Sequence, residues 1–146
     1  MPELPIRPPR RTEETAPFWD ACAESRLVLP RCTACSELIW YPRQFCPFCG
    51  SLTVDWVEVS GRGTVYSFTI IRRGAGAYKE AAPYVVAYVE LAEGPRLLTN
   101  IVTDRDTAGP PNHVTDDSQG VYVGQPVRVR FERAGDTDRI PRFEPA

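Results

Sequence analysis

Histidine occurs once in this 146-residue sequence, at position 113, and that scarcity narrows the chemistry first. A Ser-His or Cys-His mechanism needs a base within hydrogen-bond reach of its nucleophile. His113 follows two prolines in a polar stretch, and no sequence context brings it to Cys22 or to any serine. No catalytic residue is therefore expected. Long apolar runs are missing too. None approaches the ~20 residues that span a bilayer, and MPELPIRPPRR carries prolines and charges where a secretory signal is apolar. A cytoplasmic location without a membrane partner is expected. Positive charge is not in excess: the formal net charge of -2 gives polyanions no general attraction. No glycine-rich phosphate loop follows a strand and opens a helix, because GRG and GAG lie in strand-rich context. Uninterrupted helical patterns are few, since 15 prolines and 10 glycines punctuate the chain and favour short strands and loops.

The composition, 42% hydrophobic and 25% charged, is that of a globular protein. The length suits one compact unit with a small appendage. Residues 1-14 read as an extended Pro- and Arg-rich arm that docks on a partner or stays mobile. Residues 15-25 read as a short amphipathic helix, with Thr15 as N-cap, Pro17 early, and Phe18, Trp19 and Cys22 at helical spacing. Residues 26-53 open with the strand RLVLPRC and hold both cysteine pairs. From 54 to 146 the period becomes two, and VDWVEV, GTVYSFTII, PYVVAYVEL, PRLLTNIV, QPVRVRFE and RIPRF are candidate strands of a small barrel or sandwich.

In PYVVAYVEL, Val85, Ala87, Val89 and Leu91 form an apolar face, leaving Tyr84, Val86, Tyr88 and Glu90 on the other. In QPVRVRFE, Val127, Val129 and Phe131 face inward, while Arg128, Arg130 and Glu132 face solvent or a partner. The polar stretch TDRDTAGPPNHVTDDSQG, with Asp104, Asp106, Asp116 and Asp117, reads as a functional loop or a solvated insertion.

Cysteine is what the chain does have. Cys32, Cys35, Cys46 and Cys49 form two Cys-x-x-Cys pairs separated by ten residues. In a reducing compartment such pairs read as metal ligands rather than disulfides. Two intervening residues let both sulfurs turn toward one point, and a second pair completes a tetrahedron. Four thiolates fill the coordination sphere of zinc and leave no vacancy for water or substrate, so one structural zinc per chain is expected. Iron held by the same ligands is the competing reading, and a thioredoxin-like dithiol lacks its βαβ context. Cys22, in the expected helix, reads as a small buried hydrophobe.

Taken in order, a helix with PFW, a strand into RCTAC, the knuckle YPRQFCPFC, then GRGTVYSFT, PYVVAYVEL, LLTNIV, GQPVRV and a terminal IPRF resemble the DUF35 family of acyl-CoA-associated proteins. The resemblance covers about residues 15-145, and the 104-120 stretch is longer than the connection associated with that family. It implies a mainly β architecture: a short helix and rubredoxin-like zinc ribbon, then a five- to six-stranded OB-fold barrel at 54-146. It also implies a noncatalytic subunit of a thiolase-superfamily enzyme, whether thiolase, acyltransferase or thiolase-like aldolase, with acyl-CoA at the shared interface.

The residues themselves nominate the basic, glycine-rich IRRGAGAYK for the acyl-CoA side: Arg72, Arg73 and Lys79 for phosphates, Gly74 and Gly76 for close approach. Tyr84, Tyr88, Arg128 and Arg130 are the candidates for a partner interface. Two rivals remain. A single-stranded nucleic-acid binder would use Tyr66, Phe68, Tyr84 and Tyr88 as stacking platforms, and a free-standing acyl-CoA-binding protein or esterase would act without a partner.

Overall fold

The computed structural model describes residues 3-103 and 120-146; His113 and the polar stretch from 104 to 119 lie outside the described residues. The elements in chain order are α1 (Ala16-Ala23), β1 (Val28-Cys32), β2 (Val54-Glu58), β3 (Arg62-Ile71), a single 3-10 turn (Gly76-Tyr78), β4 (Tyr84-Leu91), β5 (Arg96-Ile101), β6 (Pro126-Ala134) and β7 (Asp138-Pro145).

The helix starts where proline is tolerated, in its first turn. Thr15 stands at the N-cap position, but its side chain does not cap the helix. Its hydroxyl instead exchanges hydrogen bonds with Thr12, so the expected capping role is corrected. Phe18, Ala21 and Cys22 form the buried stripe of α1.

Strands β3 to β7 close a five-stranded barrel in the order β3-β4-β5-β7-β6. All ladders are antiparallel except the closure, where β5 meets β7 in parallel at Ile101 and Phe143. Val85, Ala87, Val89 and Leu91 are buried, as their alternation requires, and meet Val65, Leu97, Ile101, Val127 and Phe143 in the barrel interior. β2 does not join the barrel. Although its alternation groups it with the strands that follow, it pairs with β1 in a two-stranded sheet, Val28 opposite Glu58 and Cys32 opposite Val54. The six expected strands therefore divide into one for the ribbon sheet and five for the barrel, and the sheet crosses the expected boundary at 53/54. Packing explains this: β2 turns Trp56 onto the cluster that also holds Leu27, Leu29 and Phe18.

The arm's described residues, 3-14, contact the rest of the chain. The arm is extended, as expected, but it lies on its own barrel: Arg11 pairs with Asp20 of α1 and Asp138 of β7, and the carbonyl of Pro5 accepts from Arg142 at 2.6 Å.

Candidate functional site

The two cysteine knuckles are built alike. In the first, the N-H of Ser36 donates to the carbonyl of Cys32 at 3.0 Å, and the N-H of Cys32 donates to Glu37. In the second, Gly50 donates to Cys46 at 2.9 Å and Cys46 donates to Ser51. The residue after each second cysteine reverses the chain with a left-handed conformation, Ser36 at φ 64° and Gly50 at φ 79°, which glycine adopts freely and serine only at a cost. Hydroxyls tie the knuckles together, Thr33 bonding Thr53 and Thr53 bonding Ser51.

These turns gather the Sγ atoms of Cys32, Cys35, Cys46 and Cys49 within 4.8 Å of one another. Cys32 and Cys49 are 3.6 Å apart, as are Cys35 and Cys46. A tetrahedron of sulfurs ~2.3 Å from zinc has edges of roughly 3.8 Å, so the donor set fits that ion. The Cys32 thiol is pulled down to about 6, first by the N-H of Cys35 and then, against the penalty of burial, by that of Ala34. At Cys32 the thiolate, the form that binds metal, is thereby favoured. At Cys35 and Cys49, against backbone hydrogen bonds from Glu37 and Ser51, burial and neighbouring sulfurs raise the thiols, that of Cys35 up to about 12. The four cysteines hold one structural zinc, and with all four positions filled by protein the ion has no place for substrate.

Cys22 is a different kind of thiol. It is fully buried in the main core, and burial pushes it up to about 12, which leaves it protonated and unreactive.

The remaining expected residues fall into three places. Arg72, Arg73, Gly74, Gly76 and Lys79 lie together in the β3-β4 connection, with Arg73 and Lys79 exposed. Gly74 permits a close approach, but to its own chain: a Cβ there would sit 2.0 Å from the carbonyl oxygen of Tyr78. Arg128 and Arg130 face outward on β6, where both pair with Glu144 of β7. Tyr84 and Tyr88 separate. Tyr84 is half-buried with its ring 5.2 Å from that of Tyr78, while Tyr88 stands 46% exposed. Neither lies under α1, which packs on β7 and β1.

Tyr88 has apolar company that alternation alone did not assemble. Leu98, 59% exposed, is its cross-strand partner on β5. Tyr66, 48% exposed, projects from the neighbouring β3 at a bulge between Val65 and Ser67. The signal for Leu98 was available: of two consecutive leucines in one strand, one must face out, and Leu97 is the inward one. Arg96 lies 3.7 Å over the Tyr66 ring and is held by Glu90.

A four-cysteine zinc ribbon packed on a five-stranded OB-fold barrel defines the class. Residues 19-55 match the ChsH2 rubredoxin-like zinc ribbon domain, and residues 56-132 match the ChsH2 C-terminal OB-fold domain. The chain belongs to this ChsH2, or DUF35, family. It is 37% identical over 142 residues to a probable enoyl-CoA hydratase alpha subunit of Thermomonospora curvata, covering 97% of this chain and 40% of that one. It is 36% identical over 77 residues to the benzoylsuccinyl-CoA thiolase subunit BbsA of Geobacter metallireducens, covering 53% and 51%. The solved Ltp2-ChsH2(DUF35) aldolase is similar in structure, with a TM-score of 0.73 and 36% identity over 94% of this chain and 98% of that one. The chain thus spans about half or less of the two curated relatives. Among the described residues, no helix is long and apolar enough to cross a membrane.

Proposed function

We propose that the chain is a noncatalytic accessory subunit of a thiolase-superfamily enzyme acting on acyl-CoA, contributing to its partner's fold and to acyl-CoA access. The observation that carries this reading is the strip of Tyr66, Tyr88 and Leu98, three large apolar side chains left in solvent on adjacent strands of a barrel whose interior is already filled. Exposed apolar residues in a contiguous group mark interaction surfaces, and aromatic residues are frequent interface anchors. The buried Cys22 thiol leaves the nucleophile to the partner. Relatives support the direction, since one is named a thiolase subunit and another belongs to an aldolase complex. Arg128 and Arg130, paired with Glu144, suit the polar rim of such an interface. The basic β3-β4 connection is the proposed neighbour of acyl-CoA.

The test is purification of the untagged chain from its source, identification of the polypeptide that accompanies it, and repetition with Tyr88→Ala. A stable interface buries ~1,200 to 2,000 Å² and concentrates its energy in a few anchors. Association is expected to weaken at least tenfold, by the usual scale of ~1.4 kcal/mol per decade, with melting temperature and zinc content unchanged. Unchanged association with unchanged folding removes Tyr88 from the interface. Tight binding of a single-stranded oligonucleotide by the pure chain, lost in the same variant, would overturn the proposal in favour of nucleic-acid recognition.

A further inference from the structure

Arg142, 4% exposed on β7, donates from Nη1 to Glu132 of β6 and from Nη2 to the carbonyl of Pro5. A buried guanidinium needs an acceptor for each donor it turns inward, and here the N-terminal arm supplies one. The same Pro5 carbonyl accepts from the Tyr78 hydroxyl at 3.4 Å. A carbonyl has two lone pairs, so one atom of the arm is held by β7 on one side and by the β3-β4 connection on the other.

Tyr78 is the pivot of that connection. Its amide donates to Ala75, its carbonyl accepts from Ala81, and its ring lies against Tyr84. The backbone of Gly74 sits so close to the Tyr78 carbonyl that a Cβ would clash with it at 2.0 Å. Displacing Tyr78 therefore displaces Gly74, and with it the basic residues on either side. Beside this contact, Leu4 and Ile6 of the arm form one wall of a cavity of about 480 Å³ whose other walls include Tyr84, Ile101 and Phe131.

We infer that the N-terminal arm is a clamp on the β3-β4 connection, with Tyr78 and Arg142 as positioning residues that meet at the Pro5 carbonyl. The contact itself stands on geometry; its significance for ligand access rests on the proposed acyl-CoA role of Arg72, Arg73 and Lys79. Whatever draws the arm away from Arg142 in an assembly frees the connection. Coupling of this kind is reciprocal, so loosening the connection frees the arm.

The experiment is amide exchange and backbone relaxation by NMR on the full chain, on Tyr78→Phe, and on a chain lacking residues 2-9. The phenylalanine keeps the ring against Tyr84 and removes only the hydroxyl. Without the arm, the hydrogen-bonded amides of Tyr78, Lys79 and Ala81 are expected to exchange at least tenfold faster, while those of β4 and the zinc content stay as they were. In Tyr78→Phe, the order parameters of Ile6 and Arg7 are expected to drop from the rigid value of ~0.85 toward 0.6. The inference is overturned if the connection's amides are unchanged without the arm. It is overturned equally if they and the β4 amides accelerate by one factor, since the arm is then only a general brace. Should the shortened chain not fold, unchanged order at Ile6 and Arg7 in Tyr78→Phe overturns it. No acyl-CoA is involved, so failure of the accessory reading leaves these outcomes untouched.

Discussion

Five cysteines of one chain divide by what surrounds each sulfur. Four were legible from spacing alone, because Cys-x-x-Cys pairs ten residues apart specify a shared centre whatever the fold around them. Cys22 was legible as a core residue from its helical spacing, but the depth of its burial needed the packing of α1 on β7 and β1. That burial has a measurable sign. The Cys22 thiol stays protonated in the folded protein up to about 12, against an ordinary value near 9. Between those values the unfolded chain has lost the proton and the folded chain has kept it, so stability falls as pH rises. Its contribution is full below about pH 9 and is lost by about 12, at roughly 1.4 kcal/mol per pH unit. Comparing urea unfolding of the wild type with Cys22→Ala isolates this slope from the tyrosines and zinc ligands, which both proteins share. The difference in stability is expected to be flat below pH 9 and to shrink above it. A difference that grows with pH would mean that the thiolate, not the thiol, is the folded form.

At the scale of elements, periodicity read the strands well and their partners poorly. The inward faces of β4 and β6 follow from alternation, since a period of two fixes which side chains share a face. Strand β3 breaks that rule within itself. Gly63 and Val65 turn inward, the bulge adds Tyr66, and from there Phe68 and Ile70 take the inner face. One inserted residue exchanges the faces of everything after it, and GTVYSFTII carries no mark of where that happens. Pairing of β2 with β1 was equally hidden, because alternation says which face is apolar but not which strand lies alongside. Glycines are more informative when their surroundings are known. Gly61, at φ +74°, enters β3 with Val129 so close that a Cβ would lie 2.3 Å from its Cγ1, whereas Gly124, at φ +87°, has open space. Gly124→Ala is expected to cost only the backbone term of about 1-2 kcal/mol. Gly61→Ala adds overpacking of about 1-3 kcal/mol. Chemical denaturation midpoints check this, and equal losses would show that Val129 yields without cost.

Across the whole molecule, ribbon and barrel share one interior. Leu27 before β1, Leu29 within it, Val59 after β2, and Phe18 of α1 belong to the same buried cluster as Val89, Ile101 and Phe143 of the barrel, with Leu38, Trp40 and Trp56 packed against it. The knuckles have almost nothing of their own: Cys32, Ile39 and Cys46, with Val54 alongside. Two of those buried residues are metal ligands, so what zinc holds is a tip lacking a core, while the base of the ribbon is held by the barrel. Metal binding is coupled to folding where no preformed site survives without the ion. Chelation is therefore expected to act locally. With zinc removed by a strong chelator under reducing conditions, amide signals from 32-53 should lose dispersion and protection. Those of β4, β6 and β7 should remain, and the melting transition of the barrel should persist at a somewhat lower temperature. Heteronuclear NMR before and after chelation, with zinc restored as the control, separates this from the alternative. Loss of barrel signals together with those of the knuckles would mean that the metal supports the shared interior, and that ribbon and barrel unfold as one unit.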